Sequence, residues 1–176
     1  MRRMLEEQDD VFYYVTVMNE NYPHPAMPEN VSEGIIKGMY RIKEGAESKG
    51  AHAQLLGSGT ILREVLAASE LLQDDWKVST DVWSVTSFTE LRRDGLSIDR
   101  ENMYNPEVAE KNTWVAQCLD ATNGPVIATT DYMRSVPDLI RTWVPRRYIT
   151  LGTDGYGRSD TRKALRDFYE VDRFHI

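Results

Sequence analysis

The residues best suited to chemistry lie in the loop 152–162, which carries three glycines and four charged side chains. The apolar segment Tyr148–Leu151 predicts a strand before this Gly-rich loop, and a helix is predicted after it with Ser159 or Asp160 as its N-cap. In a parallel sheet, the loops that follow strands face the crevice in which ligands bind. The candidate loop or interface residues are Asp154, Gly155, Gly157, Arg158, Ser159 and Asp160.

The residue types of the Gly-rich loop allow two interpretations. Glycines supply backbone angles that other residues avoid, and Asp154 can stabilise a turn through its own backbone, so a purely architectural loop is favoured. A phosphate-binding loop is the weaker interpretation. No Gly-Lys-Ser or Gly-Lys-Thr sequence ends the loop, and Arg158 is the only cation within the turn itself.

The elements before the loop follow a β-α-β-α pattern, which predicts an α/β fold with a largely parallel sheet and helices on both faces. Strands are predicted over Ala53–Leu56, Asp81–Thr86, Val126–Thr130 and Tyr148–Leu151. The segment Thr60–Leu72 is predicted as an amphipathic helix, with Ile61, Val65, Ala68 and Leu72 facing the core.

The remaining segments give less regular patterns. A strand is predicted over Val11–Met18, a linker over Asn19–Asn30 and a helix over Glu29–Glu44 with Ile35, Ile36, Met39 and Ile42 on one face. A helix begins within Ser87–Arg93, 96–112 is unassigned, and Thr113–Asp120 forms one or two helical turns. Within 131–143, the regular helix is expected to begin near Pro137 with Ser135 as its cap.

Other candidate sites are weak on their residue types. Gly57-Ser58-Gly59 lies between a strand and a helix, but Leu62 stands where a dinucleotide fingerprint needs Gly or Ala, so a tight turn is favoured. His24, His52 and His175 are too widely separated to predict a metal site, and no serine elbow is present. Asp131 and Asp154 follow buried strands and can face one crevice, although turn roles are favoured for both. No catalytic, cofactor-binding or metal residue is therefore assigned.

Composition limits the class of protein. A chain of 176 residues with 41% hydrophobic residues can bury one core. Its net charge of -7 argues against nucleic acid and anionic membranes as partners. Cys118 is the only cysteine, so no disulfide forms within the chain, and a reducing, cytoplasmic location is expected. Neither a membrane span nor a signal peptide is expected.

Three blocks of sequence together resemble the homodimeric type of pyruvate dehydrogenase in its carboxyl-terminal region. The blocks are FYYVTVMNENYPHPAMPE from Phe12, QLLGSGTILREVLAASELL from Gln54 with DVWSVTSFTELRRDG after it, and GTDGYGRSDTRKALRDFYEVD from Gly152. The resemblance implies a transketolase-type carboxyl-terminal domain over 31–176, with 1–18 as a remnant of the preceding middle domain and 19–30 as the linker. The chain is expected to be cut at both ends.

The resemblance also implies the chemistry of the parent enzyme. That enzyme decarboxylates pyruvate on thiamine diphosphate and magnesium, and passes the acetyl group to a lipoyl group of the dihydrolipoyl acyltransferase. A second subunit of a homodimer and the acyltransferase are the implied partners. The Gly-Asp-Gly and Asn motif that holds the cofactor is absent here, so this chain is expected to be inactive alone and to bind no cofactor. Another transketolase-like enzyme and a free-standing small-ligand binding module are the alternatives.

Overall fold

The computed structural model describes residues 1–14, 20–46 and 50–176. Its helices are α1 Arg2–Leu5, α2 Ser32–Lys37, α3 Leu62–Trp76, α4 Phe88–Tyr104, α5 Trp114–Leu119, α6 Ser135–Asp138 and α7 Arg162–Phe168, with 3₁₀ turns at Gly59–Ile61 and Arg141–Trp143. Its strands are β1 Met39–Lys43, β2 His52–Ser58, β3 Ser79–Val85, β4 Val126–Thr129 and β5 Tyr148–Leu151. No helix in the described ranges is long and apolar enough to cross a membrane.

The strands form one sheet in the order β1-β3-β2-β4-β5. Strands β3, β2, β4 and β5 are parallel, and β1 pairs antiparallel with β3 at one edge. The predicted fold class, a largely parallel sheet with helices on both faces, is confirmed. The four strands predicted from apolar runs are all present, and the ends of β2, β3 and β4 differ from the prediction by one to two residues.

Alternate residues of the central strand β2 supply two separate cores. Leu56 packs with Phe88 and Leu91 of α4 and with Val115 of α5 on one face of the sheet. On the other face, Leu55 packs with the residues of α3 and with Val171. The inward face predicted for the helix Thr60–Leu72, which corresponds to α3 and the turn before it, is confirmed. Ile61, Val65 and Ala68 are buried, and Leu72 is partly buried.

The helix predicted over Glu29–Glu44 is wrong. Gly38 has a φ of 106° and ends α2 after six residues, because its left-handed backbone stops the helix. The chain then turns into β1, and Met39 is fully buried in the core as a strand residue. Ile36, which was predicted to share one helix face with Met39, is 76% exposed. Hydrophobic spacing alone does not reveal the glycine stop.

Three further segments differ from the prediction. Residues 11–14 are not in a strand, and the rest of the predicted strand Val11–Met18 lies outside the described residues. Helix α4 extends to Tyr104, into the stretch 96–112 to which the sequence assigned no element. It contains Gly95 at a close contact, since a Cβ there would lie 2.4 Å from the Trp143 ring. Helix α6 begins at Ser135 rather than being capped by it.

A buried polar network joins the amino-terminal ends of the central strands. The Asp81 carboxylate accepts hydrogen bonds from the Gln54 amide at 2.8 Å and from the Gly45 N–H at 2.9 Å, and it contacts His52 Nε2 at 2.9 Å. The Trp83 indole N–H donates to Gln54 Oε1. Burial raises the pKa of Asp81, but these hydrogen bonds outweigh burial and the pKa lies below its usual value. The network fixes the register of β2 against β3.

An ion-pair cluster around the buried Glu64 carboxylate ties the end of the chain to α3. The Glu64 side chain is 9% exposed and accepts hydrogen bonds from Arg166 at 3.0 Å and from Arg173 at 2.9 Å. Burial alone would raise the pKa of Glu64, but the two guanidinium groups outweigh burial and lower it. The cluster brings together residues that are more than a hundred positions apart in the sequence.

We expect Glu64→Gln to lower the free energy of unfolding by about 1 to 3 kcal/mol at pH 7, the usual range for hydrogen bonds to charged groups. Because the folded-state pKa is depressed, the carboxylate stabilises the fold above the unfolded pKa of about 4.3 and loses this effect as pH falls below it. Urea melts at pH 7 and pH 3 measure both effects. Asp75→Asn, which removes an exposed carboxylate from the same helix, is the control. An equal loss in both variants would contradict the assignment.

Candidate functional site

The connections of the sheet reverse direction at β2. The chain passes from β2 through α3 to β3 on one side, and then through α4 and α5 to β4 on the other side of β2. At such a reversal the two loops diverge to opposite faces and leave a crevice at the carboxyl ends of the strands, where parallel sheets bind ligands. The crevice lies between the ends of β2 and β4 and is flanked by the end of β5.

Hydroxyl and carboxylate side chains line the carboxyl ends of these strands. Ser58 at the end of β2 donates to Thr130 after β4, at 2.7 Å. Thr60 donates to the Asp131 carboxylate at 3.3 Å, and Thr153 after β5 donates to the Asp131 carbonyl at 2.7 Å. These contacts join the loops that follow β2, β4 and β5. The first two loops are about seventy residues apart in the sequence, and the last two are about twenty residues apart. The Thr60 and Asp131 pair had no signal in the sequence beyond their positions at strand ends.

The glycines at the carboxyl end of β2 and just after it serve the tight turn that the sequence predicts. A Cβ on Gly57 would lie 2.9 Å from the Leu62 Cα, so glycine here allows α3 to pack closely on the strand. Gly59 has a φ of 55°, which a side chain disfavours. A dinucleotide site is not required to explain either residue.

The Gly-rich loop is held to the β4 loop by the first of its predicted residues. Asp154 accepts hydrogen bonds from the Arg134 N–H at 2.8 Å and from the Arg134 Nε at 2.6 Å. The hydrogen bond from the Arg134 side chain is the largest cause of the lowered pKa of Asp154. Asp131 and Asp154 therefore belong to neighbouring loops but do not face one cavity together.

The other predicted loop residues have different surroundings. Gly155 has a φ of 93°, whereas Gly157 has no positive φ, so only the first needs glycine for its conformation. The Arg158 guanidinium lies 3.8 Å from the centroid of the Phe168 ring. Asp160 accepts a hydrogen bond from the Thr161 N–H, and Ser159 is exposed.

The predicted cap of the final helix is wrong by one or two residues. Thr161, not Ser159 or Asp160, is the N-cap of α7, and its hydroxyl accepts a hydrogen bond from the Ala164 N–H. Threonine has the same capping chemistry as serine. Residue type alone could not choose among three neighbouring candidates.

The crevice contains a cavity of about 280 Å³, here named the crevice cavity. Thr60, Asp131 and Thr153 line its polar side, and Ile61, Leu165 and Val171 are among its apolar lining residues. Three arginines, Arg158, Arg162 and Arg166, complete the polar lining. A second and larger cavity of about 610 Å³ shares Thr60 and extends under residues 20–25.

Residues 20–25 are attached beside the crevice by two side chains. Glu20 forms an ion pair with Arg162 at 2.7 Å. Tyr22 lies 4.6 Å below the Arg63 guanidinium and donates a hydrogen bond to Glu20. The hydrogen bond from Tyr22 and the contact with Arg162 together lower the pKa of Glu20.

Among the described residues, a metal site and a cysteine nucleophile are each only weakly supported. Asp167, Asp172 and His175 have ligand atoms within 4.8 Å of one another. His175 Nδ1 contacts Asp172 at 2.8 Å, and this hydrogen bond is the largest cause of the raised pKa of His175. An internal ion pair explains the cluster. Burial raises the pKa of the Cys118 thiol to about 12, so its thiolate is scarce at neutral pH.

The chain is similar to known proteins over most of its length. A family described as the transketolase-like TK C-terminal domain matches residues 38–172. The pyruvate dehydrogenase E1 component of Pseudomonas aeruginosa is 58% identical over 176 residues, which cover 99% of this chain and 20% of that protein. The corresponding component of Escherichia coli K12 is 49% identical over 97% of this chain and 19% of that protein.

Solved structures show the same fold. The transketolase from Campylobacter jejuni matches 80% of this chain and 18% of its own chain with a TM-score of 0.54 at 17% identity. At that identity the likeness concerns the fold alone. The chain spans about a fifth of the length of the curated relatives that it matches.

We expect Gly155→Ala to destabilise the fold by about 1 to 2 kcal/mol, because alanine is strained at a positive φ. Gly157→Ala should change the free energy of unfolding by less than about 0.5 kcal/mol, since a Cβ there meets nothing within 4 Å. Arg158→Ala should cost less than about 1 kcal/mol, the usual value of an exposed cation–π contact. Urea melts rank the three variants, and a largest loss in Arg158→Ala would contradict this order.

Proposed function

Because the chain belongs to the transketolase-like C-terminal domain family, we propose that it is the carboxyl-terminal domain of a pyruvate dehydrogenase E1 component. The observation that carries the proposal is the 58% identity to such a component over 99% of this chain. A general transketolase shares the fold but only 17% of the residues, which is why pyruvate chemistry is favoured over sugar-phosphate chemistry.

The proposed parent enzyme decarboxylates pyruvate on thiamine diphosphate with magnesium, and transfers the acetyl group to the lipoyl group of the dihydrolipoyl acyltransferase. It works in the cytoplasm as a homodimer within the pyruvate dehydrogenase complex. In this proposal, residues 31–176 form the carboxyl-terminal domain, 19–30 form the linker and 1–18 belong to the middle domain. The domain supports the assembly and does not carry the reaction.

The described residues do not fit thiamine diphosphate and magnesium. A magnesium diphosphate site needs oxygen ligands for the cation. The crevice cavity instead presents three arginines and one carboxylate, Asp131, which already contacts Thr60. The Asp167, Asp172 and His175 cluster is outside that cavity and is paired internally. We therefore place the cofactor in other parts of the parent protein.

Exposed aromatic side chains support a role within a larger assembly. Phe12 and Tyr14 are each 88% exposed, Tyr156 is 96% exposed and Phe174 is 78% exposed. Contiguous exposed apolar patches mark surfaces that contact another domain or subunit, and Phe12 and Tyr14 are two such side chains close together in the sequence. Tyr156 lies in the Gly-rich loop, which was predicted as a loop or interface.

A chimera tests the proposed function. The matching segment of the Pseudomonas aeruginosa E1 component is replaced by this chain, and pyruvate-dependent acetylation of its lipoyl acyltransferase is measured. We expect the chimera to retain at least about a tenth of the activity, because the replaced segment keeps 58% of its residues. The control chimera carries the matching segment of the Campylobacter jejuni transketolase and should be inactive. A folded, dimeric but inactive first chimera would contradict the proposal.

The isolated chain should show no saturable binding of thiamine diphosphate in the presence of magnesium. The reason is that its described residues offer no oxygen-rich cation site in the crevice cavity. Titration calorimetry measures the binding, with an intact E1 component as the positive control. Saturable micromolar binding to this chain would contradict the assignment of the cofactor to other domains.

A further inference from the structure

The crevice cavity concentrates positive charge in an acidic chain. Its lining includes three arginines and a single carboxylate, Asp131, whereas the whole chain has a net charge of -7. Two of the arginines have carboxylate partners, since Arg162 pairs with Glu20 and Arg166 pairs with Glu64. Glu64 is shared with Arg173, so the cluster as a whole keeps an excess of cations.

Arg158 is the cation best placed to meet a ligand. Among the residues that the structure describes, no carboxylate forms an ion pair with it, and its guanidinium lies over the Phe168 ring. An arginine that stacks on an aromatic ring keeps its N–H donors directed outward in the plane of the guanidinium. Such donors recognise phosphate and carboxylate groups through paired hydrogen bonds.

The neighbouring groups complete an anion-binding wall. Thr60 is 8% exposed, and its hydroxyl lines the cavity together with Thr153. A Cβ placed on Gly155 would meet no atom within 4 Å, so the backbone of this loop borders open space. The Thr153 hydroxyl already donates to the Asp131 carbonyl at 2.7 Å, whereas the Thr60 hydroxyl makes a longer contact of 3.3 Å to the Asp131 carboxylate. A phosphate oxygen would accept the Thr60 proton in place of Asp131, and backbone N–H groups of the loop would donate as arginine does.

The remaining walls select for an apolar portion and for small size. Ile61, Leu165 and Val171 line the same cavity, and these side chains have no polar atoms. Ligand sites usually combine apolar walls with a few convergent polar groups. The volume of about 280 Å³ lies just below the range of about 300 to 1,000 Å³ that is usual for such sites, so a dinucleotide is too large.

From this combination we infer that the crevice cavity binds a small organic anion, of which a phosphate monoester with a compact apolar body is the best match. The phosphate would contact Arg158 and the Thr60 hydroxyl, which would turn from Asp131, and the apolar body would pack on Ile61, Leu165 and Val171. The inference concerns this chain alone and does not depend on the reaction of the proposed parent enzyme.

The Glu20 carboxylate competes with an incoming anion for Arg162. It pairs with Arg162 at the edge of the cavity, and its negative charge repels another anion. An anion that reaches Arg162 must displace Glu20, and Glu20 belongs to residues 20–25. Ligand binding is thereby coupled to the position of that segment.

Nuclear magnetic resonance of the ¹⁵N-labelled chain tests the inference. The chain is titrated with phenyl phosphate, inorganic phosphate and benzyl alcohol at pH 8 and constant ionic strength, where the phosphate groups are dianions. We expect phenyl phosphate to give saturable shifts at the amides of Thr60, Thr153 and Gly155. Inorganic phosphate should bind several-fold more weakly, and benzyl alcohol should not saturate.

Variants assign the binding to named side chains. Arg158→Gln should raise the dissociation constant of phenyl phosphate by about tenfold or more, because the substitution removes a charge-assisted contact. Arg158→Lys should weaken phenyl phosphate binding less than Arg158→Gln does, and Glu20→Gln should strengthen the binding several-fold. Arg93→Gln makes the same charge change on α4 at the opposite face of the sheet, where Arg93 is 76% exposed, and should leave the affinity unchanged.

Three results would overturn the inference. The first is the absence of saturable shifts in the wild-type chain with either phosphate probe. The second is equal weakening by Arg158→Gln and Arg93→Gln, which would indicate only a general charge effect. The third is saturation by benzyl alcohol at the same amides, which would show an apolar pocket without anion recognition. Thr60→Val, which removes one hydroxyl at constant volume, keeps the test decisive if Arg158→Gln does not fold.

Discussion

Strand β2 is the constraint on which the rest of the domain depends. Six of its seven residues are buried, and it pairs in parallel with both β3 and β4. A strand with two parallel neighbours must be covered on both faces, because its side chains point alternately to each. The chain therefore covers one face with α3, which connects β2 to β3, and the other face with α4 and α5, which connect β3 to β4. The crevice at the carboxyl end of β2 is a consequence of the reversal of these connections.

Polar side chains differ in their roles at the two ends of the sheet. At the amino-terminal end, Asp81, Gln54 and Trp83 satisfy one another in a closed network, so few of their hydrogen-bonding groups remain for a ligand. At the carboxyl-terminal end, hydroxyls and Asp131 join loops across an open cavity. The groups at both ends are therefore paired, but those at the carboxyl-terminal end border a cavity and include the long 3.3 Å contact between Thr60 and Asp131. The same sheet thus has a closed polar network at one end and an open polar surface at the other.

The sequence predicted the parts of the fold that continuous apolar runs encode. Strands β2 to β5 were located from their apolar residues, and β5 was predicted to the residue. The first two residues of β3, Ser79 and Thr80, were missed because they are polar although buried. The region around Gly38 was predicted wrongly, because the spacing of its isoleucines matches a helix and a strand follows only from the left-handed glycine. The Gly-rich loop was predicted as a strand-end loop. Asp131 was predicted to follow a strand and to face the crevice, but its contacts with Thr60 and Thr153 could not be predicted, since contacts between loops about seventy and about twenty residues apart depend on strand order.

The two charged contacts at the crevice differ in strength because they differ in burial. Glu64 is 9% exposed and holds two arginines, so the end of the chain is fixed firmly to α3. Glu20 is 49% exposed and pairs with Arg162 at the surface, where water screens the attraction. Residues 20–25 are therefore the weakly attached wall of the crevice, and α7 is the firmly attached one.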